Sequence, residues 1–237
     1  TSMLILCNPH NPVGKIWDRE TLERIGELCF KHHVLVLSDE IHCDITRPGM
    51  EYIPFASVSE HCKNNSITCV APTKTFNLAG LQTAAVIVPD AALRHRVNRG
   101  LNTDEVAEPN VFAAIAPIAA FDRGREWLEE LREYLWENRK FAEDFIREEI
   151  PELRTVSADA TYLLWIDCNA LPGDLSELAE FIRKESGLYV CDGREYGNGY
   201  GFLRMNLAYR RELLKEGLER LKRSIHSYRK GISNGII

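Results

Sequence analysis

No apolar run in this sequence is long enough to cross a bilayer. The longest, VFAAIAPIAAF, falls well short of the roughly 20 residues that a spanning helix needs. The N-terminus, TSMLILCNPHNP, has no basic segment followed by a long apolar one, so it does not read as a secretory signal. Paired cysteines are also missing: the seven present make an odd number without a C-x-x-C pair. That argues against a disulfide framework or a zinc ribbon and points to the reducing cytoplasm. Nor is positive charge concentrated anywhere. The formal net charge is -6 with Lys and Arg scattered, which argues against a nucleic-acid or membrane-surface partner.

What is present is an ordinary globular balance, 45% hydrophobic and 27% charged over 237 residues, enough for one large domain or two smaller ones. MLILC reads as a buried strand ending at the turn NPHNPVG. Asp18 then caps a helical pattern, DRETLERIGELCFKHH, and VLVLSDE follows as a continuous apolar strand of the parallel-sheet type. SITCV and TAAVIV are two more strands. Strand, helix, strand with apolar strands buried on both faces indicates an α/β sheet with crossover helices. From residue 90 the pattern turns helical, through PNVFAAIAPIAAF and the long charged stretch REWLEELREYLWENRKFAEDFIREEI. Short strands return after Pro151 in TYLLWIDC, LYVCD and GFLRMNLA, around the helix LSELAEFIRKES. The reading is a large α/β lobe over residues 1–140 and a smaller α+β lobe over 141–237, with only the tail GISNGII disordered.

Ligands of open α/β sheets bind beyond the carboxyl ends of the strands. Three motifs fall there: NPHNPVG after the first strand, SDEIHCD after the second and APTKTFN after the third. Asp39 at the end of VLVLS resembles a Walker B acid, but the phosphate loop G-x-x-x-x-G-K-[ST] is absent. A metal site from Asp39, Glu40, His42 and Asp44 fails on alternation if the segment is extended, because neighbours then point to opposite sides. A lysine that bonds to an aldehyde needs shelter and help in losing its proton, which Lys74 could find there. A carboxylate such as Asp39 beside a pyridine nitrogen keeps that nitrogen protonated. Asn11 and His42 could donate to a phenolic oxygen. Arg204, in the strand-like GFLRMN, offers the planar fork that suits a substrate carboxylate.

Together NPHNPVGK, SDEIHCD, TKTFNLAGLQ and GFLRMN resemble the fold-type-I pyridoxal 5'-phosphate (PLP) enzymes of the class I/II aminotransferase superfamily, and within it the C–S β-lyases of the cystathionine β-lyase type. The resemblance runs from residue 4 to about residue 225. It implies the PLP-dependent transferase fold and cleavage of sulfur-containing amino acids to pyruvate, ammonia and a thiol. It further implies that Lys74 is the cofactor-bonded lysine and proton shuttle, and that Asp39 pairs with the ring nitrogen. Asn11 and His42 then contact the phenolic oxygen, Thr73 helps to hold the phosphate, and Arg204 holds the α-carboxylate. Where many relatives have Ser and Arg or Lys clamping the phosphate, this chain has Ala71 and Gln82. The resemblance also implies a long N-terminal part, with phosphate cradle, stacking aromatic and much of a homodimer interface, that is missing from a chain opening on a central strand. An aminotransferase and a non-catalytic remnant remain as alternative readings.

Overall fold

A computed structural model describes residues 1–234. By its internal contacts the chain divides into two units, and the division falls inside one long helix, between Arg132 and Glu133. The first unit comprises residues 1–11, 15–132 and 159–161; the second takes the remainder, including 12–14.

In the first unit, Asp18 accepts the Thr21 backbone N–H at 2.7 Å and starts helix α1 (Arg19–Lys31). This helix is the crossover between strands β1 (Met3–Cys7) and β2 (Leu35–Asp39), which lie parallel. A short helix α2 (Glu60–Asn64) leads to β3 (Ser66–Val70), parallel to β2, and β4 (Ala85–Ile87) closes the order β1-β2-β3-β4 running antiparallel. One face of this sheet packs Leu6 and Val36 against Leu22, Cys29, Phe55 and Cys62. The expected burial of both faces does not extend to the outer strands: Ile5 is 69% exposed and Ile87 50%. TAAVIV yields only three strand residues, and α4 (Ala91–Thr103) and α5 (Phe112–Arg123) follow.

Helix α6 (Arg125–Glu149) carries the chain into the second unit. There β5 (Arg154–Thr155), β6 (Leu163–Asp167), β7 (Cys191–Asp192) and β8 (Phe202–Asn206) form an antiparallel sheet of order β5-β6-β8-β7. LYVCD contributes just two strand residues because its chain turns at once into residues 193–196. Leu164, Ile166, Leu203 and Met205 point from one face into a core with α7 (Leu178–Ser186) and α8 (Arg211–Ser233). The glycine loop before β8 folds back on itself. A Cβ on Gly193 or Gly199 would overlap the other's backbone, and Gly197 and Gly201 have φ of 80° and 75°. Contrary to the expectation of a disordered tail, residues 231–233 belong to α8; the end of that segment, 235–237, lies outside the described residues.

The segment after β2 also departs from expectation. Residues 41–44 form a turn rather than an extended run, so alternation does not govern where their side chains point. Its buried anchor is Glu40, 2% exposed, whose Oε1 accepts from Ser38 Oγ at 2.8 Å and from the Phe55 backbone N–H at 3.0 Å. Burial pushes the Glu40 carboxyl up, and these bonds only partly oppose it. A carboxyl with a raised folded pKa binds its proton more tightly folded than unfolded. Its contribution is therefore complete below the ordinary carboxylate range and is lost as pH rises through the raised value. Glu40→Gln keeps one carbonyl oxygen for both donors and cannot ionise. Thermal melts from acid to neutral pH should show the parent losing stability across this window, with the variant changing less. Parallel curves would show that Glu40 does not titrate there.

Candidate active site

The three parallel strands end level with one another. Cys7 pairs with Asp39, and Asp39 with Cys69, so their side chains share one face at the carboxyl edge. The ladder continues one step further: Asn8 N–H donates to the Asp39 carbonyl at 3.0 Å, and Glu40 N–H to the Cys69 carbonyl at 2.9 Å. The loops that leave this edge carry Asn11, His42, Thr73 and Lys74. Arg204 lies on β8 in the second unit.

Asp39 is half-buried. Its Oδ1 accepts the Ile41 N–H at 3.2 Å, which turns the chain and starts the loop that carries His42. His42 is 3% exposed and its backbone carbonyl accepts from Ile45 at 3.0 Å. Burial first, and then the charge of Asp39, push up the thiols of both strand partners, Cys7 and Cys69. The Asn11 backbone N–H reaches the Cys7 sulfur and opposes that rise. Asn11 is thereby tied to the neighbour of Asp39.

Lys74 sits in a single helical turn, α3 (Pro72–Thr75), with Pro72 at its first position, where the missing N–H costs nothing. Two anchors follow the lysine directly. Thr75 is fully buried and its Oγ1 donates to Asp44 Oδ2 at 2.8 Å, joining this turn to the loop after β2. Phe76 stacks on Trp127 at 5.8 Å and takes Phe121 edge-on at 5.2 Å. The sequence singled out Lys74 and missed these supports. Asp44 entered only as a candidate ligand, and its link to Thr75 spans 31 positions that no local spacing connects. The donor set at this edge is a primary amine, a carboxylate, an imidazole, a carboxamide and a hydroxyl. That is the chemistry a pyridoxal ring, its aldehyde and its phosphate would require.

Thr75→Val keeps the shape and removes the donor to Asp44, so it should cost about 1–2 kcal/mol of unfolding free energy. Asp44→Asn, whose amide oxygen still accepts, should cost less. Urea unfolding followed by tryptophan fluorescence measures both, and a valine variant as stable as the parent would mean that this bond holds nothing.

The family model for aminotransferase class I and II matches residues 1–221. The chain is 41% identical over 225 residues to cystathionine beta-lyase PatB of Bacillus subtilis, covering 94% of this chain and 58% of the relative. It is 32% identical to protein MalY of Escherichia coli, covering 96% and 58% respectively. Among solved structures, the PLP-bound C–S lyase of Staphylococcus hominis in complex with L-cycloserine superposes with a TM-score of 0.86 at 32% identity, covering 94% of this chain and 55% of that one. The chain thus spans a little under three-fifths of the length of these relatives. On the breadth of these matches, it belongs to the class I and II aminotransferase family.

Proposed function

We propose that this chain is part of a PLP-dependent C–S β-lyase acting on sulfur-containing amino acids and releasing pyruvate, ammonia and a thiol. The observation that carries this reading is the level ending of β1, β2 and β3, from which Asn11, Asp39, His42, Thr73 and Lys74 all depart. The lyase relatives favour C–S cleavage over amino transfer.

In this reading Lys74 holds the cofactor covalently, Asp39 faces the ring nitrogen, Asn11 and His42 serve the phenolic oxygen, and Thr73 contributes to the phosphate. Bound PLP supplies an electron-poor ring that accepts the electrons left when Cα loses its proton. The remaining work falls to the chain. Lys74 Nζ, freed as an amine when the substrate amine takes its place, would accept the Cα proton, and the anchors at Thr75 and Phe76 limit where that nitrogen can go. The Asp39 carboxylate favours a proton on the ring nitrogen. Arg204 grips the substrate α-carboxylate with two parallel N–H groups.

A homodimer and a cytoplasmic setting complete the proposal. Phe112, Ile115 and Ile118 of α5 are each more than 60% exposed, an apolar face of the kind that oligomer interfaces bury. All seven cysteines are free, which suits a reducing compartment. Among the described residues no helix is long and apolar enough to cross a membrane.

Two measurements test the reading. With added PLP, the protein should show visible absorption and a borohydride-reducible adduct that maps to Lys74; Lys74→Ala should lose both, together with pyruvate release from L-cystathionine. An adduct on another lysine would sink the assignment. Arg204→Lys keeps the charge but loses the fork, and should raise KM about tenfold while PLP absorption stays. Loss of the cofactor with unchanged KM would instead place Arg204 at the phosphate.

A further inference from the structure

Arg204 has neighbours that capture of a carboxylate alone does not explain. Leu203 and Met205 point into the core of the second unit at 2% and 5% exposure, so Arg204 between them points from the opposite face of the sheet. The register sets Trp165 of β6 beside it on one side and Cys191 of β7 on the other. Arg204 Nη2 donates to Cys191 Sγ at 3.2 Å. Tyr196, in the turn that follows β7, lays its ring over the guanidinium carbon at 4.6 Å, with its hydroxyl near enough to the same sulfur to feel it. Trp165 meets Tyr196 edge-on at 5.8 Å and stacks on Phe202 at 5.2 Å, which backs the tyrosine ring.

We propose that Cys191 and Tyr196 are positioning residues for Arg204, fixing the plane and one edge of its guanidinium before a carboxylate arrives. This rests on the reading of Arg204 as the carboxylate-binding residue. An unrestrained arginine loses considerable rotamer freedom on binding, and a support that restrains it beforehand removes that loss from the binding step. The chemistry of the supports suits the task. A carboxylate at position 191 would pair with the guanidinium and compete with substrate, whereas sulfur is a weak acceptor that orients the group without itself forming an ion pair. An aromatic face attracts a cation in the same non-neutralising way. Burial first, and then Cys191, push the Tyr196 hydroxyl up to about 12, so that no phenolate forms near neutral pH to pair with the arginine.

Position-resolved phenylglyoxal labelling, read by mass spectrometry on the PLP-loaded chain, tests this. Cys191→Ala and Tyr196→Leu should each speed labelling of Arg204 about fivefold, the worth of one hydrogen bond or one cation–π contact. Cys191→Ser, which can still accept from Nη2, should label at the parent rate. Arg139, at 2% exposure, should stay unlabelled throughout and so certify the fold. Tyr196→Phe keeps the ring over the guanidinium and should label at the parent rate; if both larger truncations unmask Arg139, Cys191→Val, which fills the space without accepting well, decides the matter by labelling faster than Cys191→Ser. Parent-like labelling of Arg204 in the larger truncations with Arg139 still protected, or Cys191→Ser as fast as Cys191→Ala, overturns the proposal. A separate arm distinguishes the underlying reading: excess L-alanine should protect Arg204 in the parent. Failure of that protection removes the carboxylate role and the purpose assigned to the two supports, whereas unchanged labelling in the variants removes the positioning alone.

Discussion

The register of the parallel ladder is the constraint on which the first unit depends. Cys7, Asp39 and Cys69 lie side by side, and a slip of one residue would reverse every side chain on the strand that moved. Val36 and Ser38 are fully buried, so such a slip of β2 would push partly exposed neighbours into the packed face and bring Val36 out. Burial therefore fixes the register, the register fixes where the strands end, and the strand ends fix which loops share an edge. The hydrophobic pattern of the strands thus decides which polar loops share the edge.

Asp39 and Glu40 show how finely that geometry sorts like residues. They are adjacent carboxylates at the end of one strand, yet Glu40 is buried and satisfied by Ser38 and Phe55, while Asp39 stays half-buried and spends one oxygen on the Ile41 turn. Glu40 is committed to holding the loop, and Asp39 is the one of the two assigned to a ligand in the proposed reading. The amine side has the same division of labour. Thr75 and Phe76, next to Lys74 in the chain, are anchored by a hydrogen bond and by two aromatic contacts.

Much of this was legible in the sequence because it is local. The Asp18 cap, the apolar strands and the three post-strand motifs are all written in adjacent residues, and the long charged run of α6 formed as its periodicity required. What the sequence could not show depends on register or on cover. Nothing in MLILC distinguishes buried Leu6 from Ile5 at 69% exposure, because alternation reveals only that the two face opposite ways. LYVCD is apolar enough for a full strand, but the turn at Gly193 limits it to two residues. Cys191 looked like one thiol among seven until the antiparallel register set it against Arg204, 13 positions away.

That last placement has a counterpart in the other unit. Asp39 is flanked in its ladder by Cys7 and Cys69, and Arg204 by Cys191. Burial and the field of Asp39 both push the flanking thiols up, so they remain neutral beside the carboxylate and do not repel it. A lysine or arginine in those places would form a standing ion pair, and a ligand would have to break it before binding. A hydrophobic neighbour would leave the charge without any polar contact. Sulfur lies between these extremes: small enough for a strand, polarisable, and weak as a hydrogen-bonding partner. At both charged positions the strand ladder sets cysteines, rather than oppositely charged side chains, beside the proposed ligand-binding group.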